Sequence, residues 1–280
     1  MVLRVILAAF GVLLSGLAAA ASPKLAILAP TGSPHSLSAA DRISSLANDF
    51  DLVDRDLAAA AFRSFDEKAP FNMTAERARS IGEAIGCDIL ILVDSESVRR
   101  SSSSRESYYE AYASIFTVGI RDGLLLNWTK LSGLGDLPDE AEASLSRQIG
   151  SETPSILKKA LSVINFPIEP VLDIAEFSAE NSAAQKGLRP PAPYRRIKPK
   201  YTDAAFLNGI EATVEATVDI DAEGRILRLV ITRWAGYGLD SAVEQAVREM
   251  NWMPASRGGK ALPMRVLLRY NFKKPDKSQQ

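Results

Sequence analysis

Between Ile210 and Ile220, apolar and polar residues alternate without a break. Ile210, Ala212, Val214, Ala216, Val218 and Ile220 fall on one side, and Glu211, Thr213, Glu215, Thr217 and Asp219 on the other. A helix repeats its faces about every 3.6 residues, so this period of two demands a strand with one buried face. The sequence after it extends the constraint. Asp221-Ala222-Glu223-Gly224 reads as a hairpin turn, with Gly224 free to take positive φ. Arg225 to Trp234 follows as a strand that is apolar on both faces through Ile226, Leu227, Leu229, Val230 and Ile231, so it is expected at the centre of its sheet. After Gly236-Tyr237-Gly238, helical spacing links Leu239, Ala242, Val243, Ala246, Val247 and Met250. A last strand, Pro263 to Phe272, sets Met264, Val266, Leu268, Tyr270 and Phe272 against Arg265, Leu267, Arg269 and Asn271. One helix covers one face of such a three-stranded antiparallel sheet. The other face and at least one edge are left open, and an open edge accepts another strand.

The order of these pieces resembles the carboxy-terminal domain of the TonB family, over residues 194–274. Tyr201 stands where the family has a Tyr-Pro motif, although Thr202 replaces the proline. Gly209-Ile210-Glu211 opens the first strand, Asp219 to Ile226 is the hairpin, and Gly236-Tyr237-Gly238-Leu239-Asp240 starts the helix. Trp252-Met253-Pro254-Ala255 ends the helical segment, and Gly259 to Pro263 leads into the last strand. The resemblance implies a ββαβ domain, without enzymatic activity, that binds a protein or peptide by strand addition beside the last strand. Arg265, Leu267, Arg269 and Asn271 would then flank the incoming strand.

Met1 to Ala21 reads as an export signal, with Arg4, an apolar run from Val5 to Leu17, and Ala19-Ala20-Ala21 before Ser22. The alternative is an uncleaved inner-membrane anchor facing the periplasm, since Val5 to Ala21 just reaches the ~17 residues that span a bilayer. Anchors of TonB proteins carry a polar residue coupled to a proton-driven motor. Here the run holds only Ser15 and nothing ionisable, which favours cleavage and a periplasmic protein.

Residues 22–165 are expected to form one α/β domain. The apolar strand Leu25–Leu28, a helix capped by Ser38, the strand Phe50–Val53 and the alanine-rich helix Leu57–Phe65 come first. A helix from Thr74 carrying Ala78, Ile81, Ala84 and Ile85 leads into Ile89–Val93, a continuous apolar run and hence a buried central strand. A hairpin follows, Tyr108–Ile120 and Leu124–Leu131 around Arg121-Asp122-Gly123, and Pro138–Ile164 is helical with a break expected near Pro154. The order is β-α-β-α-α-β-β-β-α. Phe50-Asp51-Leu52-Val53-Asp54-Arg55, and Ala78-Arg79 running through Gly82 and Gly86-Cys87-Asp88 to Leu92, resemble the CsgG and TolB amino-terminal group. That resemblance implies an α/β sandwich and an envelope assembly role as a further reading. The chain lacks that group's lipidated cysteine after the apolar run and has no long insertions suited to membrane strands. Arg55 is expected to pair with a neighbouring carboxylate in Asp54-Arg55-Asp56, Ser101–Ser104 to form a solvated loop, and Cys87 to be a small buried residue.

Residues 166–200 are rich in proline and carry Arg189, Arg195, Arg196, Lys198 and Lys200. They read as a semi-rigid linker, in which Leu188–Lys200 spans at most ~40 Å at ~3.1 Å per residue. That is too short to cross from inner to outer membrane. The near-neutral total of −1 conceals net −9 over Ser22–Gln185 and net +7 over Lys186–Gln280. The basic half suits an anionic envelope surface or the acidic half itself. No aromatic-basic motif for nucleic acid is present. His35 is the only histidine and Cys87 the only cysteine, and no glycine-rich phosphate loop occurs. These residue types build no zinc site, His-based triad or dinucleotide site, so no catalytic, cofactor or metal residue is assigned. Trp128, Trp234 and Trp252 are expected to be packing residues. The leading expectation is a periplasmic, non-enzymatic adaptor. The alternatives are an anchored energy transducer serving an outer-membrane receptor and an envelope assembly protein acting through its amino-terminal domain.

Overall fold

The computed structural model of the chain describes residues 22–103, 105–164, 173–177 and 187–274. The expected export signal over 1–21, the tail 275–280, much of the linker between 165 and 186, and Ser104 of the serine loop lie outside the described residues.

The amino-terminal half follows the order read from its periodicities: β1 (Lys24–Leu28), α1 (Pro34–Ser44), β2 (Asp51–Leu52), α2 (Arg55–Ser64), α3 (Ala75–Ile85), β3 (Ile89–Ser102), β4 (Arg105–Gly119), β5 (Leu125–Gly135) and α4 (Pro138–Ile164). The strands form one sheet in the order β2-β1-β3-β4-β5. β3 runs parallel to β1 and antiparallel to β4. It is central because Ile89–Val93 present apolar side chains to both faces, and all five are 0% exposed. On one face Ile91 and Ile115 meet Ile43 of α1 and Ile149 of α4; on the other, Leu90 and Val118 meet Ala58 and Phe62 of α2 and Ile81 of α3. Each fully buried Ile or Leu contributes about 1.5–3 kcal/mol relative to exposure.

Several local expectations change. α4 runs through Pro154 as one helix instead of breaking there. Arg55 pairs with Asp41 on α1, not with its chain neighbours, while Asp54 accepts from Leu57 N at 3.0 Å and caps α2. Ser101 and Ser102 belong to the end of β3 and the hairpin tip, so the solvated loop is shorter than expected. Cys87 is buried beneath α3, and burial, reinforced by Asp88, pushes its thiol up to about 12. A thiol held so far from ionisation is an inert packing group.

The carboxy-terminal half begins with β6 (Leu188–Arg189), β7 (Ala192–Pro193) and α5 (Asp203–Leu207). It continues with β8 (Ala212–Ile220), β9 (Ile226–Arg233), α6 (Leu239–Arg248), β10 (Trp252–Met253), β11 (Ala255–Arg257), β12 (Lys260–Leu262) and β13 (Met264–Phe272). The alternating strand is β8, and it lies in the middle of the order β13-β8-β9. The expectation that the doubly apolar strand β9 is central is therefore wrong. Leu229 and Ile231 pack on the same side as Val218 and Ala216, while Leu227 stays 51% exposed and Leu229 to Ile231 border a cleft of about 470 Å³ with Leu124 to Trp128. The hairpin turn forms as read, with Gly224 at φ +83° and its N–H bonded to Asp221 O at 3.2 Å; a Cβ there would lie 2.2 Å from Trp252 O. Thr202 caps α5 through Ala205 N at 3.2 Å and donates to Tyr237 O at 2.6 Å, so the residue in the proline's place ties two turns together.

The described part of the linker is not a spacer. Arg189 pairs with Ser256 of β11, Pro193 pairs with Trp252 of β10, and Tyr194 N bonds to Asn251 O at 2.9 Å. The two halves also share one core. Trp234, 0% exposed, lies 5.8 Å from the Phe116 ring, and Tyr237 lies 4.7 Å from Trp128. All three tryptophans serve packing, as expected.

Candidate functional site

The last strand holds the four residues expected to flank a partner. In β13, Arg265, Leu267, Arg269 and Asn271 stand opposite Asp219, Thr217, Glu215 and Thr213 of β8. Alternation sends Met264, Val266 and Phe272 into the core under α6, with Val243 and Val247. The four named side chains lie on the other face. Arg265 makes a fork to the 1%-exposed Asp219, Nε to Oδ1 at 2.6 Å and Nη2 to Oδ2 at 2.8 Å. This bonding to Asp219 raises the pKa of the guanidinium and fixes both charges in a partly dry site. Arg269 Nε donates to Glu215 Oε1 at 2.8 Å, and Arg233 of β9 reaches the same oxygen at 3.7 Å. Thr213 Oγ1 donates to Asn271 Oδ1 at 2.8 Å. Three of the four side chains are thus committed within the sheet. Leu267, 46% exposed, is the apolar group left at the surface.

The backbone of this strand is more informative than its side chains. Arg265 N donates to Ala175 O at 2.9 Å, and Phe177 N donates to Arg265 O at 2.9 Å. Both bonds point away from β8, and Glu176 stands parallel to Arg265. Since successive residues of a strand turn their N–H and C=O to opposite sides, Leu267 and Arg269 present theirs on the same outer side as Arg265. Along this edge runs a groove of about 750 Å³. It is lined by Val266 to Tyr270, by Glu176 and Phe177, by Pro190 to Pro193, and by Arg196, Ile197, Met250 and Trp252. Residues of both strand faces line it, so it follows the edge. Trp252 is 4% exposed, and its Nε1 has no hydrogen-bond partner among the described residues. Burial raises the Tyr270 hydroxyl pKa, with Arg196 opposing.

Residues 197–273 match the family of the Gram-negative bacterial TonB protein C-terminal. The match covers α5, the three-stranded sheet and α6, and it agrees with the resemblance read from Tyr201 to Phe272. The solution structure of the Pseudomonas aeruginosa TonB C-terminal domain is similar at 22% identity, over 38% of this chain and 99% of that chain, with a TM-score of 0.28. Lipoprotein GNA1162 from Neisseria meningitidis is similar at 11% identity, over 49% of this chain and 99% of that one, with a TM-score of 0.34. The LpoB C-terminal domain from Salmonella enterica follows at 15% identity, 40% and 82% coverage, and a TM-score of 0.27. At these scores none of the three fixes a fold for the residues before the TonB C-terminal match. No curated protein matches the sequence.

The other edge of the TonB C-terminal sheet is differently built. Asn72 Nδ2 donates to Thr213 O at 2.8 Å and Trp234 O at 2.7 Å, and Thr213 N donates to Asn72 Oδ1 at 3.0 Å. Thr74 bridges Arg233 in antiparallel sense, and Trp234 Nε1 donates to Gly123 O at 3.3 Å. Beyond Trp234 the chain turns through three left-handed residues, Gly236 at φ +69°, Tyr237 at +52° and Gly238 at +76°. A Cβ at Gly236 would come within 2.7 Å of both Phe116 and Trp128, so glycine is needed for this approach. Asp240 holds the turn by accepting from Ala235 N at 2.8 Å and Gly236 N at 2.7 Å. Burial pushes its carboxyl up to about 6 against the pull of those two N–H groups.

Sequence reasoning missed the segment Ala175–Phe177, the proline wall and the role of Tyr237. The only local signal was a tyrosine between two glycines. The other contacts join residues far apart in the chain. His35, singled out as the sole histidine, lies with Nδ1 3.3 Å from Glu142 Oε1 on the far side of the amino-terminal sheet. No group of three or more His, Cys, Asp or Glu side chains suited to a metal ion gathers among the described residues, and no described helix is long and apolar enough to cross a membrane.

Proposed function

We propose that the protein is a non-enzymatic adaptor of the Gram-negative envelope that takes up an extended strand of a protein or peptide partner along β13. The observation that carries this is the groove beside Val266 to Tyr270. Its facing wall contains Pro190, Pro191 and Pro193, which have no N–H and cannot complete a ladder with β13. Among the described residues, space and outer backbone groups without a ladder partner are thus kept together. An incoming strand gains affinity from the outer N–H and C=O groups of Leu267 and Arg269, and selectivity from the Leu267 and Arg269 side chains. Export through cleavage after Ala21, giving a periplasmic protein, belongs to the same reading. So does an amino-terminal half of CsgG/TolB type, supported by its element order. The pairing of the linker at Arg189 and Pro193 favours an adaptor over an anchored transducer, because residues tied into a sheet add no reach.

The test is Arg269→Pro. Its N–H faces outward, so proline there costs no bond to β8 and is tolerated at an edge. Capture from envelope extracts by the full chain should be lost in the variant while its circular dichroism is unchanged. Undiminished capture by a folded Arg269→Pro protein sinks the reading.

A further inference from the structure

We propose that Ala175–Phe177 is a built-in competitor for the β13 edge, a strap that a partner strand must displace. This rests on the strand-addition reading of β13 and specifies how that site is regulated. The strap makes the bonds an incoming strand would make: Arg265 N to Ala175 O and Phe177 N to Arg265 O, each 2.9 Å. It lies parallel to β13 with Glu176 at the Arg265 position. Phe177 packs against the shared core and, with Glu176, closes one end of the groove.

Three features make this contact suited to displacement. It consists of one residue's pair of bonds on a strand that runs from Met264 to Phe272, so most of the edge stays unpaired by the strap. It is tethered, so a weak contact is held at an effective concentration in the millimolar range. And it caps Arg265 while the main charge partner of the guanidinium is Asp219, Glu176 adding a lesser attraction. The guanidinium bonds Asp219 through Nε and Nη2, so removal of the strap forfeits the Glu176 attraction but leaves that ion pair intact. A partner strand pairing with Leu267 and Arg269 and extending toward Met264 must take the place of Ala175 and Phe177. A strand stopping short of Arg265 binds with the strap in place. The site thereby discriminates by length as well as by sequence.

The probe is a fluorescent synthetic peptide with this chain's own sequence from Asp173 to Phe177, flanked by its native neighbours. Its binding is measured to the full chain and to Phe177→Pro, which removes both the strap's donor and its ring. The expected result is at least tenfold tighter binding by the variant. Equal binding by both proteins overturns the strap while leaving the edge able to accept a strand. Binding by neither overturns the strap together with the strand-addition reading. Hydrogen exchange at the Arg265 amide gives an independent measure in the native chain. Exchange as fast in the full chain as in a folded Phe177→Pro protein overturns the strap, and slower exchange in the full chain supports it.

Discussion

The two edges of the carboxy-terminal sheet are closed by different means. At the Arg233 end of β9 the closure is a fabric of side chains and backbone: Thr74 bridges Arg233, Asn72 ties Thr213 of β8 to Trp234 just past β9, Trp234 is wholly buried against Phe116, and Gly236 lets the turn settle onto Trp128. At β13 the closure among the described residues is two backbone bonds at one residue, beside a groove of about 750 Å³. Edge strands are hazards that proteins cover or blunt. Here one edge joins the halves of the molecule at its Arg233 end, and the cover of the other among the described residues is one residue's pair of bonds. The difference lies in what each cover buries: a large apolar ring with its polar atom satisfied on one side, and short backbone contact on the other.

That contrast can be broken by substitution. The largest effect belongs to Trp234→Ala, which removes a 0%-exposed ring and its bond to Gly123 O. A loss of about 3–5 kcal/mol in urea unfolding is expected, with the two halves unfolding in separate transitions. Next is the response to pH. Asp240 titrates at about 6 in the folded chain against 3.8 unfolded, so its ionisation is penalised by folding. Its contribution to stability is full below pH 3.8 and is lost as pH rises through about 6, amounting to about 3 kcal/mol. Thermal melts between pH 4 and 7 should show this decline, and Asp240→Asn should flatten it. Asn72→Ala leaves the backbone of Thr213 and the Trp234 carbonyl without their partners, and about 1–3 kcal/mol is expected in the same unfolding assay. On the β13 side, Arg269→Pro loses one ion pair to a Glu215 that keeps Arg233, a cost of about 1 kcal/mol or less. A β13 substitution as costly as Asn72→Ala would show that both edges are structural.

Legibility in the sequence followed locality. β8, β13 and α6 were readable because a strand of period two and a helix of period ~3.6 declare their buried faces residue by residue. The amino-terminal element order was readable for the same reason. The place of β9 was not. Leu227, Leu229 and Val230 show that both its faces are apolar, but not whether a strand or another part of the chain fills the second. Among the described residues neither a strand nor packed chain covers Leu227, which stays 51% exposed, and Leu124 to Trp128, about a hundred residues upstream, only border a cleft beside Leu229 to Ile231. Alternation puts Arg265 and Arg269 opposite the core face, yet their commitment to Asp219 and Glu215 depends on the β8–β13 register. Proline content marked the linker as extended, and extended chain is also what an edge strand recruits. The same residues that suggested a spacer therefore pair with β10 and β11.

By itself the sequence determined the longer strands and helices, the buried faces of β8, β13 and α6, the family of residues 197–273 and the strand on which function was expected. Those properties are set by short-range periodicity and turn chemistry. Only the tertiary structure decided that the two halves share a core through Trp234 and Tyr237, that β8 and not β9 is central, and that Ala175–Phe177 occupies part of the β13 edge. Pairing between distant segments is fixed by which unmet hydrogen bonds and apolar surfaces meet once the elements pack, and no local pattern encodes that choice.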